Sequence, residues 1–143
     1  MQFYSTNRKT SPVSLREAVV RGLAADRGLF MPEVIRRFPP AFYQNMKEMT
    51  LREISFVVAE AFFGEDVEAG KLKEIVDETL NFDIPLVQVA DNRYSLELFH
   101  GPTLAFKDVG ARFMARLLAY FNKQEGERQV NVLVATSGDT GSA

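Results

Sequence analysis

The chain has no cysteine and a single histidine, His100. The first absence excludes disulfides and thiolate metal sites, and the second leaves any metal site dependent on carboxylates. No stretch approaches the roughly 20 apolar residues of a membrane-spanning helix. Nor is there a surplus of charge. The 17 Lys and Arg stand against 19 Asp and Glu, a net charge of −2, without the basic footprint of a nucleic-acid binder. Met1-Gln2-Phe3-Tyr4-Ser5 has neither the charged start nor the apolar middle of a signal peptide. The expectation is a cytoplasmic protein whose partners are neither nucleic acid nor membrane. What remains is ordinary for a globular chain: 143 residues, 46% hydrophobic and 25% charged, with room for one respectable core.

The first part reads as mainly helical. After an extended piece, Gln2 to Tyr4, the run Ser14-Leu15-Arg16-Glu17 forms a capping box, in which Ser14 meets the amide of Glu17 and Glu17 reaches back to that of Ser14. Leu15, Ala18 and Val19 make the apolar stripe, and Gly22 or Gly28 ends the local structure. Phe38-Pro39-Pro40 punctuates a loop. The same box returns at Thr50-Leu51-Arg52-Glu53, followed at helical spacing by Leu51, Ile54, Val58, Ala61 and Phe62, with Gly64 as the stop. Lys71 to Leu80 repeats the pattern through Leu72, Ile75, Val76 and Thr79. Arg36-Arg37 and Glu65-Asp66 read as solvated surface. Residues 1–84 are thus expected to form a small helical subdomain.

From Pro85 the character changes. Val87 to Val89 and Tyr94 to Leu98 predict two short strands around Asp91-Asn92. Asp108 to Phe121 predicts a helix with Phe113, Met114, Leu117, Leu118 and Phe121 on one face. Asn122 to Gln129 is a polar connection. Val130 to Ala135 has the length and apolarity of a strand covered on both faces in an α/β layer, and Thr136 to Gly141 would be the loop leading into its helix. A buried parallel strand needs neighbours, and only one such strand is evident.

Two segments carry chemistry. Leu96-Glu97-Leu98-Phe99-His100-Gly101-Pro102-Thr103-Leu104-Ala105-Phe106-Lys107-Asp108 puts Lys107 beside a Gly-Pro turn, where the helix begins. Burial and the positive helix end both disfavour an ammonium, so such a lysine is primed to form a Schiff base with an aldehyde. A lysine opening an amphipathic helix also serves as a solvated, snorkelling side chain; the residues alone leave both readings open. Ser137-Gly138-Asp139-Thr140 offers hydroxyls and amides to an anion, and the same four residues make an ordinary turn. His100 either orients substrate, steadies the Gly101-Pro102 turn or bonds local backbone. Phe99 and Phe106 are expected in the core, and Thr103 and Asp108 are candidate helix caps.

LELFHGPTLAFKD followed by ATSGDTG resembles the cofactor-lysine motif and substrate loop of the threonine synthase family. Phe3-Tyr4-Ser5-Thr6, Glu17-Ala18-Val19, Gly22-Leu23-Ala24 and Asp26-Arg27-Gly28-Leu29-Phe30-Met31-Pro32 are similar to that family's opening. The resemblance implies an α/β protein, with residues 1–84 as the N-terminal subdomain and 85–143 as the beginning of a fold type II pyridoxal-phosphate domain. It implies pyridoxal 5'-phosphate as cofactor and O-phospho-L-homoserine as substrate, converted with water to L-threonine and phosphate. Lys107 would form the aldimine with the cofactor and then shuttle protons at the α and β carbons. Ser137, Gly138, Asp139 and Thr140 would bind substrate, with Asp139 also near the cofactor's phenolic oxygen; related enzymes of this fold often carry Asn there.

Members of that family are much longer, and their cofactor-phosphate loop and pyridine-nitrogen partner lie later. The chain is therefore read as an N-terminal fragment. By itself it is expected to be inactive and, through the edges of Val130 to Ala135, prone to self-association. Two rival readings stand beside this one: another pyridoxal-phosphate lyase acting on a phosphorylated amine, and a non-catalytic piece that only folds or associates.

Overall fold

Alternation makes the first element: Phe3 and Ser5 are buried while Gln2 and Tyr4 are not, and Gln2–Ser5 is strand β1. The structure is a computed structural model and describes residues 1–124, 126 and 129–143. Two units emerge, Met1–Val76 and Asp77–Ala143. That division precedes the compositional change at Pro85 and falls inside helix α4 (Ala69–Thr79).

In the first unit, β1 is the centre of an antiparallel sheet ordered β2-β1-β3, with β2 at Val13–Ser14 and β3 at Phe30–Pro32. Phe3 lies opposite both Val13 and Pro32. Neither edge strand was expected, because two or three residues are too few for a period to show. Helix α1 (Leu15–Arg21) follows β2 directly, and Ser14 accepts from the Glu17 amide as expected. Only that half of the box forms; the Glu17 carboxylate pairs with Arg21 one turn on. Leu15, Ala18 and Val19 are buried as expected, and Gly22 closes the helix at φ 70°, its amide donating to Ala18.

A loop without regular structure joins α1 to β3, and one carboxylate organises it. Asp26 accepts from the buried Ser5 hydroxyl at 2.6 Å and from the amides of Gly28 and Lys9 at 3.0 and 2.9 Å. The Ser5 bond foremost holds its carboxyl below the ordinary value. Gly28 fits because a Cβ there would sit 2.0 Å from the Ser5 Oγ and 2.9 Å from the Asn7 amide.

Pro40, expected in a loop, is the first residue of helix α2 (Pro40–Asn45). A proline there loses no intrahelical bond and brings its φ ready-set. A 3₁₀ turn, Met46–Glu48, leads to helix α3 (Leu51–Phe63), where the Thr50–Glu53 box forms in both directions and Gly64 ends the helix. Its apolar stripe is less buried than the spacing implies: Leu51 and Val58 are exposed and Ala59 is the buried residue. In α4 the expected stripe holds, with Leu72, Ile75, Val76 and Thr79 all buried. Glu65 and Asp66, read as idle surface, receive the Met1 ammonium at 2.9 and 3.0 Å, and Glu65 also bonds Arg36.

The second unit holds a hairpin and a long helix. Strands β4 (Leu86–Ala90) and β5 (Arg93–Leu96) pair antiparallel across Asp91-Asn92, where Asn92 takes the positive φ that a tight turn requires. Helix α5 runs Lys107–Gln124, three residues past the predicted end, and buries Leu117 and Phe121. Arg112 and Arg116 tie it to Glu78, through the carbonyl and the carboxylate respectively, each at 2.7 Å.

Val130 to Ala135 is not a strand: this run is exposed, Leu133 at 95%. A parallel strand exists only through bonds to neighbours, and none of the described residues pairs with it. Residues 139–142 of the loop form a turn. Of the polar connection, Asn122 to Gln124 is helical, and 125, 127 and 128 lie outside the described residues.

Gly28→Ala should lower stability by about 1–3 kcal/mol through overpacking against Ser5 and Asn7, read as an earlier midpoint in urea unfolding. An unchanged midpoint would show that the loop gives way freely.

Candidate active site

The turn before α5 decides where its lysine points. Gly101 and Leu104 close it, the Leu104 amide donating to the Gly101 carbonyl at 3.0 Å. Leu104 pays for this with a left-handed backbone, φ 57°, which a side-chain-bearing residue adopts only when its surroundings insist. The Asp108 and Val109 amides then donate to Ala105 and Phe106, and the helix is under way. The Asp108 carboxylate folds back over the turn: one oxygen accepts from the Thr103 amide and the other from the Thr103 hydroxyl, both at 2.9 Å. It is 1% exposed.

Lys107 points the other way. Its Nζ lies 2.9 Å from Asp139 Oδ2 and 4.5 Å from the centre of the Phe106 ring. The burial expected of it is only partial: 30% of the side chain is exposed and the amine is paired. That pairing is the main cause of a carboxyl at Asp139 held below its ordinary value. Phe106 and Phe99, expected in the core, are both about half exposed. Phe106 lies under the amine, where a ring face attracts a cation. Phe99 stacks on His100 at 4.8 Å. The His100 Nε2 meets the Glu97 carboxylate at 2.7 Å, so its partner is a side chain three residues back.

Around Asp139 the loop is folded on itself. The Gly138 amide donates to Thr136 Oγ1 at 3.0 Å, the Gly141 amide to the Gly138 carbonyl at 3.3 Å, and the Ser142 hydroxyl to the Asp139 carbonyl at 3.4 Å. Gly138 has φ 148° and open space where a Cβ would stand. Ser137 and Thr140 are exposed. Lys107 and Asp139 are therefore brought into contact, with Ser137, Gly138 and Thr140 flanking Asp139 in sequence, whereas the strand expected to lead into this loop is not formed.

An aldehyde cofactor such as pyridoxal phosphate needs an accessible amine, and Lys107 offers one with an acid beside it. Among the described residues the fit is at this reactive end. The Gly138 and Gly141 amides, which could serve an anion, are taken up within the loop. Two features escaped the sequence reading, the ring beneath the amine and the backward reach of Asp108. Thr103 and Asp108 were each legible as candidate caps, but not their bond to one another.

Proteins already described resemble this chain along most of its length. A family model, threonine synthase N terminus, matches residues 2–80. The threonine synthase of Serratia marcescens is 41% identical over 143 residues, 100% of this chain and 33% of its own length. That of Escherichia coli K12 is 38% identical with the same coverage. Among solved structures, the Escherichia coli threonine synthase superposes with a TM-score of 0.90 at 37% identity, over 99% of this chain and 32% of that one. A PLP-bound threonine synthase from Brucella melitensis gives 0.84 at 34%, over 90% and 29%. The chain has the mixed α/β architecture that these structures share in their N-terminal region. It belongs to the threonine synthase family, and it spans about one third of the length of the curated relatives it matches.

The depressed Asp139 carboxyl makes the pair pH-dependent. Since the folded value lies below the unfolded one, the pair contributes above the ordinary carboxylate value of about 3.9 and is lost as pH falls through the depressed value. In an NMR titration, Lys107→Met should return Asp139 to the ordinary value. An Asp139 that titrates identically in both chains would contradict the contact.

Proposed function

We propose that this chain supplies the lysine-bearing part of a threonine synthase, which converts O-phospho-L-homoserine and water to L-threonine and phosphate with pyridoxal phosphate. The observation that carries the proposal is an accessible amine on the first residue of α5, 2.9 Å from an acid 32 residues away, in a chain whose solved relative from Brucella melitensis is PLP-bound.

Pyridoxal phosphate, when bound, acts as the electron sink for the reaction. The chain's own residues do the rest of the work assigned here. Lys107 would hold the cofactor through its amine and, when free of it, would move protons at the substrate's α and β carbons. Release of the amine turns a tether into a base at the same point in space, which saves a second positioned group. Asp139 keeps that amine in place and would offer its carboxylate toward the cofactor's phenolic oxygen. Ser137, Gly138 and Thr140 take the substrate carboxylate with hydroxyl and amide donors. These contacts require the loop 136–141 to give up internal bonds such as Gly138 to Thr136.

In the full-length protein, Lys107→Ala should abolish phosphate release from O-phospho-L-homoserine and remove the visible absorbance of lysine-bound cofactor. After borohydride reduction of the unmodified protein, the pyridoxyl group should be found on Lys107; its presence on a different lysine would refute the assignment. Asp139→Ala should lower kcat more than it weakens cofactor retention, measured by steady-state kinetics and cofactor titration. Lost cofactor with normal turnover at saturating cofactor would reverse the role given to Asp139.

A further inference from the structure

We propose that Asp108 is the positioning residue for Lys107, and that its inward grip on Thr103, against the bare backbone of Gly101, sets the direction in which the lysine amine points. For what Lys107 holds, this rests on the functional reading above; the geometry behind it does not. Asp108 is one of three buried polar or charged residues among those described, with Ser5 and Thr79, and it is the only charged one. A buried carboxylate persists only when its oxygens are bonded. Here both are engaged, one by the Thr103 amide and one by the Thr103 hydroxyl. The third side is backbone: a Cβ on Gly101 would lie 2.4 Å from Asp108 Oδ2 and 2.9 Å from both its Cβ and its Cγ.

This is not an ordinary helix cap. A cap precedes the helix and accepts from the helix's own free amides. Asp108 lies inside the first turn and accepts from a residue five positions earlier, so it holds the loop to the helix. The consequence for Lys107 is geometric. Successive residues of an α-helix are about 100° apart around the axis, so fixing Asp108 inward holds its neighbour a little more than a quarter turn away, on the side where Asp139 lies. The grip also explains the strained Leu104 (φ 57°). Leu104 lies between Thr103, which Asp108 holds, and the buried Ala105, and its own side chain is 76% exposed. Nothing about the leucine side chain itself requires that conformation.

The test uses the full-length protein with Asp108→Ala, Asp108→Asn and Thr103→Val. Asparagine can still accept from the Thr103 amide through its carbonyl and donate to the Thr103 hydroxyl through its amide, so it should preserve the grip. Alanine removes both bonds. A lysine displaced by about 1 Å loses on the order of 100-fold in reaction rate. Asp108→Ala should therefore slow attachment of added pyridoxal phosphate to Lys107, followed by visible absorbance and borohydride trapping, by about that factor, with circular dichroism unchanged. kcat should fall with it while KM stays within a few-fold. Asp108→Asn should stay within a few-fold of wild type in every readout.

A second readout needs no cofactor. In cofactor-free protein the depressed titration of Asp139 should return to the ordinary carboxylate range in Asp108→Ala and stay depressed in Asp108→Asn. A folded alanine variant with wild-type attachment and an unchanged Asp139 titration would overturn the proposal, as would equal losses in the alanine and asparagine variants. If Asp108→Ala does not fold, Thr103→Val carries the test. It removes only the hydroxyl bond and should slow attachment several-fold; a wild-type rate would count against the grip. Should the wild-type protein bind cofactor yet release no phosphate from O-phospho-L-homoserine, the functional reading fails while the attachment and titration results still decide the role of Asp108.

Discussion

A buried carboxylate gripping both donors of one threonine is the interaction on which the reactive end of this protein depends. Backbone amides in a loop must find partners, and a short acidic side chain supplies strong ones because its hydrogen bonds are charge-assisted. Asp108 does this for the turn that delivers Lys107. Asp26 does the same in the first unit, accepting from Ser5, Gly28 and Lys9. In both places a glycine stands where any Cβ would strike the acid or its partner, Gly101 against Asp108 and Gly28 against Ser5. One structural device thus recurs in two loops, and one of them precedes Lys107.

The same physical requirement explains where the chain is less ordered by its own contacts. The β4–β5 hairpin has one partner for each strand and leaves Leu86, Val89, Tyr94 and Leu96 exposed. A two-stranded hairpin is marginal without a surface to cover it. Val130 to Ala135 has no strand beside it among the described residues, and its apolar side chains face solvent. Lys107 stands on a helix pinned by side chains and backbone, whereas Asp139 stands on a turn held by bonds within 136–142. The two halves of the candidate site are therefore held differently, one by a helix and its packing and the other by bonds within a short turn.

Interactions that span one helical turn were legible in the residues. Ser14 and Thr50 could be read as caps because their partners lie three positions on, and the stripe of α4 because its period covers the whole helix. The β2 and β3 edges and the start of α2 at Pro40 were not legible, being too short or marked by a residue that also makes loops. Phe99 and Phe106 misled because apolarity states a tendency to be buried. One instead stacks on His100 and the other lies beneath an amine.

By itself the sequence determined that a lysine opens an amphipathic helix after a Gly-Pro turn, that a hydroxyl-rich loop follows an apolar run, and that both resemble one enzyme family. These are statements about neighbours along the chain, and the spacing of residues suffices for them. Only the tertiary structure decided that Lys107 meets Asp139, that Asp108 turns inward while Lys107 turns outward, and that Val130 to Ala135 stays unpaired. Each of these depends on what lies beside a residue in space. A hydrogen bond across 32 residues, the side of a helix that finds a donor, and the presence of a second strand are properties of the packed chain, and no periodicity encodes them.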